Sequence, residues 1–282
     1  MRSADWIATV YFAYIALAAL RARAVPAARR ASVAALAGGS LASILLLALT
    51  LDPSHPVRLW APALWLLLGY WLPGGLLHAP MPSLEARLLA WDVRAQRLWS
   101  SRVGTHAAPS WLRALLEAAY LLVHVFVPAG LIVLLTTSAS TEVAARANQF
   151  WTAALLAGYA CYGTLPWLQA RPPRLIEPIS TSAATAPTGA GTGEVASGLR
   201  AANERLLDLV SVKANTFPSG HVAVALAVAL LVSTHGVIAG LIFIPAALLI
   251  ALATIVGRYH YVADVVLGLG IGLGAWMVTR GL

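Results

Sequence analysis

The fold is decided by residues 218–264, which read PSGHVAVALAVALLVSTHGVIAGLIFIPAALLIALATIVGRYHYVAD. Within this stretch two apolar runs, 220–233 and 237–256, separate a Pro-Ser-Gly-His element from an Arg-Tyr-His-Tyr-Val-Ala-Asp element. A third apolar run, 262–278, follows directly. An apolar helix of roughly 20 residues crosses a bilayer. The pattern therefore predicts closely spaced membrane helices that carry their polar clusters at their ends.

The composition of the whole chain agrees with a membrane protein. Of 282 residues 60% are hydrophobic and 11% are charged, whereas soluble domains carry about 25% charged residues. This excludes a disordered chain and disfavours a soluble enzyme. The net charge of +8 comes from arginines scattered between apolar runs, which indicates membrane-facing loops and anion contacts and not a nucleic-acid surface. Cys161 is the single cysteine and cannot form an internal disulfide.

Five further apolar runs extend the pattern toward the N-terminus. Together with the last three they predict an all-α, polytopic membrane helix bundle of about eight transmembrane helices, with the site-bearing core in the C-terminal part. The five runs are Trp6 to Leu20, Ala31 to Leu51, Leu59 to Leu77, Leu112 to Leu135 and Phe150 to Leu168.

Three regions follow from this division. Residues 1–79 form N-terminal transmembrane helices, and residues 80–110 mix charged residues with Leu and Trp, as expected of a helix in the headgroup layer. Residues 111–282 form the membrane core. Within that core, residues 175–200 contain a Ser/Thr/Ala/Gly-rich tract that predicts a flexible loop. A short amphipathic helix is predicted over 199–212.

Three polar clusters in the second half are candidates for chemistry, because polar groups at membrane helices are costly. They are the 171–174 segment Arg-Pro-Pro-Arg, the 218–221 segment Pro-Ser-Gly-His, and the 258–264 segment ending in Asp264. The fifth span ends at the first cluster, the sixth begins at the second, and the seventh returns to deliver the third. Span parity alone thus predicts that all three meet on one face of the membrane.

The clusters contain the parts of a phosphate site. Arg171 and Arg174 can each fork onto phosphate oxygens. Ser219 and Gly220 open a helix whose free N–H groups favour an anion.

Two histidines complete this cradle. His260 and Asp264 are four residues apart and share a helix face, so the carboxylate can fix the imidazole tautomer and leave the other nitrogen as a nucleophile. His221 supplies a second imidazole for general acid–base work. This set is what phosphoryl transfer through a phosphohistidine requires.

The PSGH and RYHYVAD elements, with the preceding RPPR, resemble the phosphatidic acid phosphatase type 2/vanadium haloperoxidase superfamily over about residues 110–282. The resemblance implies that His260 attacks phosphorus, that Asp264 orients it, and that His221 protonates the leaving group. The residues that resemble the phosphate binders are Ser219, Gly220, Arg171, Arg174 and Arg258.

Two positions depart from the family pattern. Thr164 stands where the first motif often has Lys, and Thr254 stands where the third motif often has Arg. An arginine lies instead two residues before the histidine, at Arg258. These departures and the additional N-terminal spans are similar to the branch of inositol phosphorylceramide synthases and sphingomyelin synthases, which transfer a headgroup to a lipid alcohol.

The sequence leaves the acceptor open. The predicted enzyme is a phosphoric ester hydrolase, with water as acceptor, or a phospho-headgroup transferase, with a lipid or polyol alcohol as acceptor. The substrate is a lipid phosphate, and no cofactor, metal or nucleic-acid partner is expected. The alternative is a lipid transporter or a non-catalytic lipid-binding membrane protein. The remaining histidines, among them His124, are interpreted as loop or packing residues.

The predicted location is the cell membrane, but two arguments disagree on which face carries the site. With eight spans, fifteen of the 19 basic residues fall on the site face, or eleven once the four nearest the site are removed, against four on the other face. The positive-inside rule then favours a cytoplasmic site. The family resemblance implies an extracytoplasmic one, and we expect that side by a narrow margin.

Overall fold

The computed structural model describes residues 1–103, 109–176 and 192–280. In this part of the chain every regular element is a helix, and the one β-type pairing is an isolated bridge between Ala170 and Asn215. The all-α prediction is therefore confirmed. The helices are α1 (Ser3–Arg21), α2 (Ala27–Thr50), α3 (Pro56–Gly74), α4 (Pro82–Val103), α5 (Ser110–Thr136), α6 (Val143–Tyr162), α7 (Pro173–Ile176), α8 (Thr192–Val210), α9 (Gly220–Ser233), α10 (Val237–Val256) and α11 (Val262–Thr279).

Among the described helices, five are long and apolar enough to cross a membrane: α1, α2, α5, α10 and α11. This confirms an integral, multi-pass membrane protein. The helix α9 is apolar but only 14 residues long, and α3 and α6 are not among the five. The count of eight spans is thus larger than the number that length and composition identify, and it stays a prediction.

The centre of the bundle is α6. Phe150 and Trp151 on this helix are fully buried, and the helix packs against α1, α3, α9 and α11. Small residues make the close packing possible. A Cβ atom on Gly158 would lie 2.7 Å from Leu66 of α3 and 3.3 Å from Val224 of α9. The central helix therefore brings the N-terminal helices to the site-bearing ones.

Some boundaries differ from the sequence prediction. The helix α6 covers residues 143–162 instead of 150–168, so the chain has already left the helix well before the Arg-Pro-Pro-Arg segment. The helix α8 begins at Thr192, inside the predicted flexible loop. The remainder of that loop, residues 177–191, lies outside the described residues, as do residues 104–108 of the predicted interfacial segment.

A buried ion pair links α1 to α3 at the end of the bundle where α6 begins. The Asp5 carboxylate is 2.6 Å from the Arg58 guanidinium and 3.1 Å from that of Arg2, and Asp5 is 1% exposed. The backbone N–H of Ala4 donates to Asn148 near the start of α6. These contacts fix the N-terminal helices against the core.

We expect Asp5→Ala to lower the stability of the protein strongly, because it leaves the buried Arg58 without its carboxylate. Breaking one partner of a buried pair costs about 3–5 kcal/mol. The measurement is thermal unfolding in detergent. The matched control is Glu142→Ala, which removes an exposed pair with Arg146 and costs roughly 1 kcal/mol or less. Equal melting temperatures for the two variants would contradict the structural role of the pair.

Candidate functional site

The two histidines of the sequence motifs face each other. His260 lies in the loop between α10 and α11, and His221 is the second residue of α9. The His260 Nε2 atom is 3.4 Å from the His221 Nδ1 atom, and the His260 Nδ1 atom is 3.4 Å from the Asp264 Oδ2 atom. Both distances are at the long end for hydrogen bonds. The result is a continuous line of polar groups from carboxylate to imidazole to imidazole.

The Asp264 carboxylate is fixed by one donor from the segment before α9 and by one from its own loop. Its Oδ2 atom accepts from the Asn215 side chain at 2.8 Å and from the Tyr261 backbone N–H at 3.0 Å. The Ser219 backbone N–H donates to the Asp264 carbonyl at 3.0 Å. A single residue in the first turn of α11 thereby positions the segment before α9 and the loop that carries His260.

Local backbone features place the two motif loops. The Thr254 carbonyl at the end of α10 accepts from the N–H groups of both Tyr259 and His260, at 2.9 and 3.0 Å. Arg258 has a φ of 60°, in the left-handed region, which turns the chain sharply before His260.

Gly220 is required at the start of α9 by close packing. A Cβ atom at this position would overlap the Tyr162 ring at the end of α6. Ser219 precedes it as the N-cap residue, with its Oγ atom accepting from the Val222 N–H at 3.5 Å. The helix N-terminus is thus held close to α6 with its first N–H groups near the histidine pair.

The three motif arginines have different surroundings. Arg171 is half exposed and makes a bidentate pair with Glu85 of α4, with atoms 2.9 and 3.1 Å apart. Arg258 pairs with Asp92, which also lies on α4, at 3.0 Å. The Arg174 guanidinium instead lies 5.6 Å from the centre of the Tyr259 ring. Of the three, only Arg174 lines the pocket that contains both imidazoles.

Two adjoining spaces meet at His221. A narrow polar pocket of about 20 Å³ is lined by His221, His260, Arg174 and Thr216 together with surrounding aromatic residues. A cavity of about 410 Å³ lies beside it and is lined mainly by apolar side chains. His221 borders both spaces, whereas His260 borders only the polar one. The polar pocket holds about one water molecule, so a phosphoryl group requires its side chains to separate.

The electrostatics of the loops follow from burial and pairing. Burial, with a smaller contribution from the nearby Arg174, lowers the pKa of His260 to about 3. The imidazole is therefore neutral near pH 7, which is the nucleophilic form. The hydrogen bond from Arg171 lowers the pKa of Glu85, so this carboxylate stays charged.

Several residues that hold the site were not identified from the sequence. Glu117 of α5 accepts from the Tyr259 hydroxyl at 2.8 Å and from the Asn203 amide of α8 at 2.6 Å. Tyr120 stacks on the Tyr259 ring, with centroids 3.7 Å apart. The sequence did indicate a role for Glu117, because a carboxylate within an apolar helix is costly and is a functional candidate by default. No comparable signal marked Asn215, which precedes the PSGH element in a polar segment.

The fold and the site define a multi-pass helical membrane protein with a histidine pair in a small polar pocket. The family model for the PAP2 superfamily matches residues 86–278. The chain therefore belongs to the PAP2 superfamily. No curated protein and no solved structure matches the chain.

The lowered pKa of His260 predicts a loss of stability in acid. The unfolded histidine takes up a proton near pH 6.5, whereas the folded one does so only near pH 3. The unfolded state binds more protons in this window, so stability falls as the pH decreases from 6.5 toward 3.

The test compares chemical unfolding of the wild type with His260→Gln at pH 7 and pH 5. Taking the difference between the two proteins removes the shared contribution of His221, Asp264 and other groups that remain in both. We expect the variant to lose less stability on acidification. An identical pH dependence would show that His260 is not buried in its neutral form.

Proposed function

We propose that the protein is a membrane lipid-phosphate phosphatase or phosphotransferase that works through a phosphohistidine. The observation that carries the proposal is the line from Asp264 through His260 to His221 beside the guanidinium of Arg174. PAP2 superfamily membership supports the same class of chemistry.

In the first half-reaction, the His260 Nε2 atom forms a bond to phosphorus as the bond from phosphorus to the lipid oxygen breaks. His221, in its protonated form, gives its proton to the departing oxygen. Asp264 stabilises the positive charge that develops on the His260 ring. An in-line displacement needs phosphorus and the leaving oxygen between the two imidazoles. The nitrogens, 3.4 Å apart here, must therefore separate when the substrate binds.

In the second half-reaction, His221 removes a proton from the acceptor. The acceptor oxygen then attacks phosphorus and the bond to His260 breaks, which regenerates both histidines. Water as acceptor releases inorganic phosphate, and an alcohol as acceptor yields a new phosphate ester. The inositol phosphorylceramide synthase and sphingomyelin synthase-like branch corresponds to the second outcome. The support for it is the pair of motif departures at Thr164 and Thr254 together with the additional N-terminal spans.

The phosphate oxygens are bound by Arg174 and by the backbone N–H groups that follow Ser219 and Gly220 at the start of α9. Arg171 and Arg258 are engaged by Glu85 and Asp92. In this arrangement they position the site loops through α4. The direct phosphate contact expected of them requires these ion pairs to open.

The proposed topology has eight spans and an extracytoplasmic site. An even number of spans leaves both termini on one face, and the site lies on the other because it follows odd-numbered spans. Reporter tags at each terminus, with a cysteine scan of the α10–α11 loop, test the arrangement. Cytoplasmic termini with an externally labelled loop support it, and termini on opposite faces contradict it.

We expect His260→Ala to reduce release of phosphate or formation of a phosphorylated product by about a thousandfold or more, since it removes the nucleophile. The assay uses purified protein with lipid phosphates, with and without alcohol acceptors. His235→Ala is the control, because His235 lies at the far end of α9. Unchanged turnover in His260→Ala would refute the proposed function.

His221→Ala separates the two half-reactions. With a substrate whose leaving group needs no proton, such as 4-nitrophenyl phosphate, His260 still attacks. The second step then lacks its base. We expect radiolabelled phosphate to accumulate on His221→Ala as an acid-labile, base-stable adduct. The double variant with His260→Ala should carry no label.

Arg174→Met should lower kcat/KM by about a hundredfold, because a charge-assisted bond to phosphate is lost. Arg171→Met should lower it by roughly tenfold or less, with a fall in melting temperature, because its main partner is Glu85. Steady-state kinetics and thermal unfolding of the two variants provide the comparison. A larger kinetic effect at Arg171 would contradict the assignment.

A further inference from the structure

The 410 Å³ cavity beside the histidine pair has walls from α3, α5, α6, α8 and α9. Its inner part is apolar, with Leu66, Phe126 and Val224 among its lining residues. The polar residues that line it include His221 at the start of α9, Ser211 and Tyr70. The cavity is therefore an apolar space that reaches a reactive imidazole, and ligand sites commonly have this character.

The proposed mechanism predicts which part of the substrate lies in this cavity. His221 protonates the leaving oxygen, whereas His260 lies on the opposite side of phosphorus. Because His221 borders the cavity and His260 does not, the alcohol part of the ester extends into the cavity. The group attached directly to the phosphate oxygen is then in contact with apolar side chains.

The volume limits what this group can be. A water-sized group takes up about 30 Å³, so 410 Å³ accommodates roughly 14 non-hydrogen groups. This space accommodates the part of one hydrocarbon chain that lies next to the phosphate, and it is too small to hold two parallel chains and a glycerol backbone at that position.

The cavity also has a route to the bilayer. Leu67 and Trp71 of α3 line it and are 48% and 41% exposed. His124 of α5, which was interpreted from the sequence as a loop or packing residue, lines the facing wall and is also exposed. A longer chain can leave between α3 and α5 into the hydrocarbon layer.

We infer that this cavity binds the single hydrocarbon chain of a lipid monophosphate whose phosphate is esterified directly to that chain. Such alkyl or alkenyl phosphates are preferred over diacylglycerol phosphates. The inference rests on the proposed function, because it uses the direction of the leaving group. It adds the class of substrate that this site accepts.

The test compares the wild type with Ala63→Phe, which places a ring in the cavity. The control is Ala42→Phe, on an exposed part of α2. The substrates are butyl, hexyl and octyl phosphate, with tetradecyl phosphate and dimyristoyl phosphatidic acid in mixed micelles. Removing a methylene from water is favourable enough to raise kcat/KM by about two- to fourfold per added carbon.

We expect this rise in the wild type and in Ala42→Phe, and a nearly flat series in Ala63→Phe. Butyl phosphate should be turned over at a similar rate by the wild type and Ala42→Phe. Partition into detergent affects the two phenylalanine variants equally, so the difference between them reports the cavity. The wild type should also prefer tetradecyl phosphate to dimyristoyl phosphatidic acid by tenfold or more in kcat/KM.

A binding measurement complements turnover. A tetradecyl phosphate carrying a diazirine in mid-chain should label cavity residues of α3, α5 or α9 in the wild type, and the yield should fall at least fivefold in Ala63→Phe. Labelling confined to the outer faces of the helices would overturn the inference.

The outcomes distinguish the two proposals. Turnover that requires His260 but is the same in Ala63→Phe and Ala42→Phe, or that favours the diacyl lipid, overturns the cavity inference alone. Turnover that survives His260→Ala overturns the proposed function.

Discussion

The buried carboxylate of Asp264 joins three parts of the chain at the point where the chemistry is expected. The carboxylate lies within reach of the His260 ring and accepts a hydrogen bond from Asn215. The backbone carbonyl of Asp264 accepts from the Ser219 N–H, in the segment that opens α9. A buried carboxylate is costly unless donors satisfy it, and here the donors are all on the Oδ2 atom, whereas the Oδ1 atom is buried with no partner among the described residues. The hydrogen bonds of Asp264 therefore stabilise the first turn of α11 and fix the orientation of the loop that carries His260. Loss of any donor would disturb both.

Around this centre, other acidic residues hold basic and aromatic groups of the loops in place. Glu85 and Asp92, two turns apart on α4, pair with Arg171 and Arg258. Glu117 on α5 binds the Tyr259 hydroxyl beside His260. The helices α4 and α5 thus do more than cover the core. They leave Arg174 as the motif arginine that faces the imidazoles.

In the proposed function, the polar pocket binds the phosphate of a lipid and the apolar cavity binds its hydrocarbon chain. The polar pocket presents Arg174, Thr216 and two imidazoles, which suit a phosphate. The cavity presents side chains such as Leu66 and Phe126, which suit a hydrocarbon. Because His221 borders both, the proposed proton transfer would take place at the boundary between the charged and the apolar part of a ligand. This is the position of the scissile oxygen in a lipid phosphate.

The sequence by itself determined the class of fold, because repeated apolar runs of about 20 residues with few charges are typical of membrane helices. It also provided His221, His260 and Asp264 as candidate site residues, because the spacing of four is a local property of the chain and the parity of the predicted spans places the clusters on one face. Only the tertiary structure decided which arginine faces the pocket, because Glu85 and Asp92 lie far from Arg171 and Arg258 in sequence. The tertiary structure also determined the position and size of the cavity, because the cavity is the space that five helices leave unfilled between them. The spacing of motifs does not encode how distant elements pack. The sequence therefore predicts a type of reaction but not the preferred substrate.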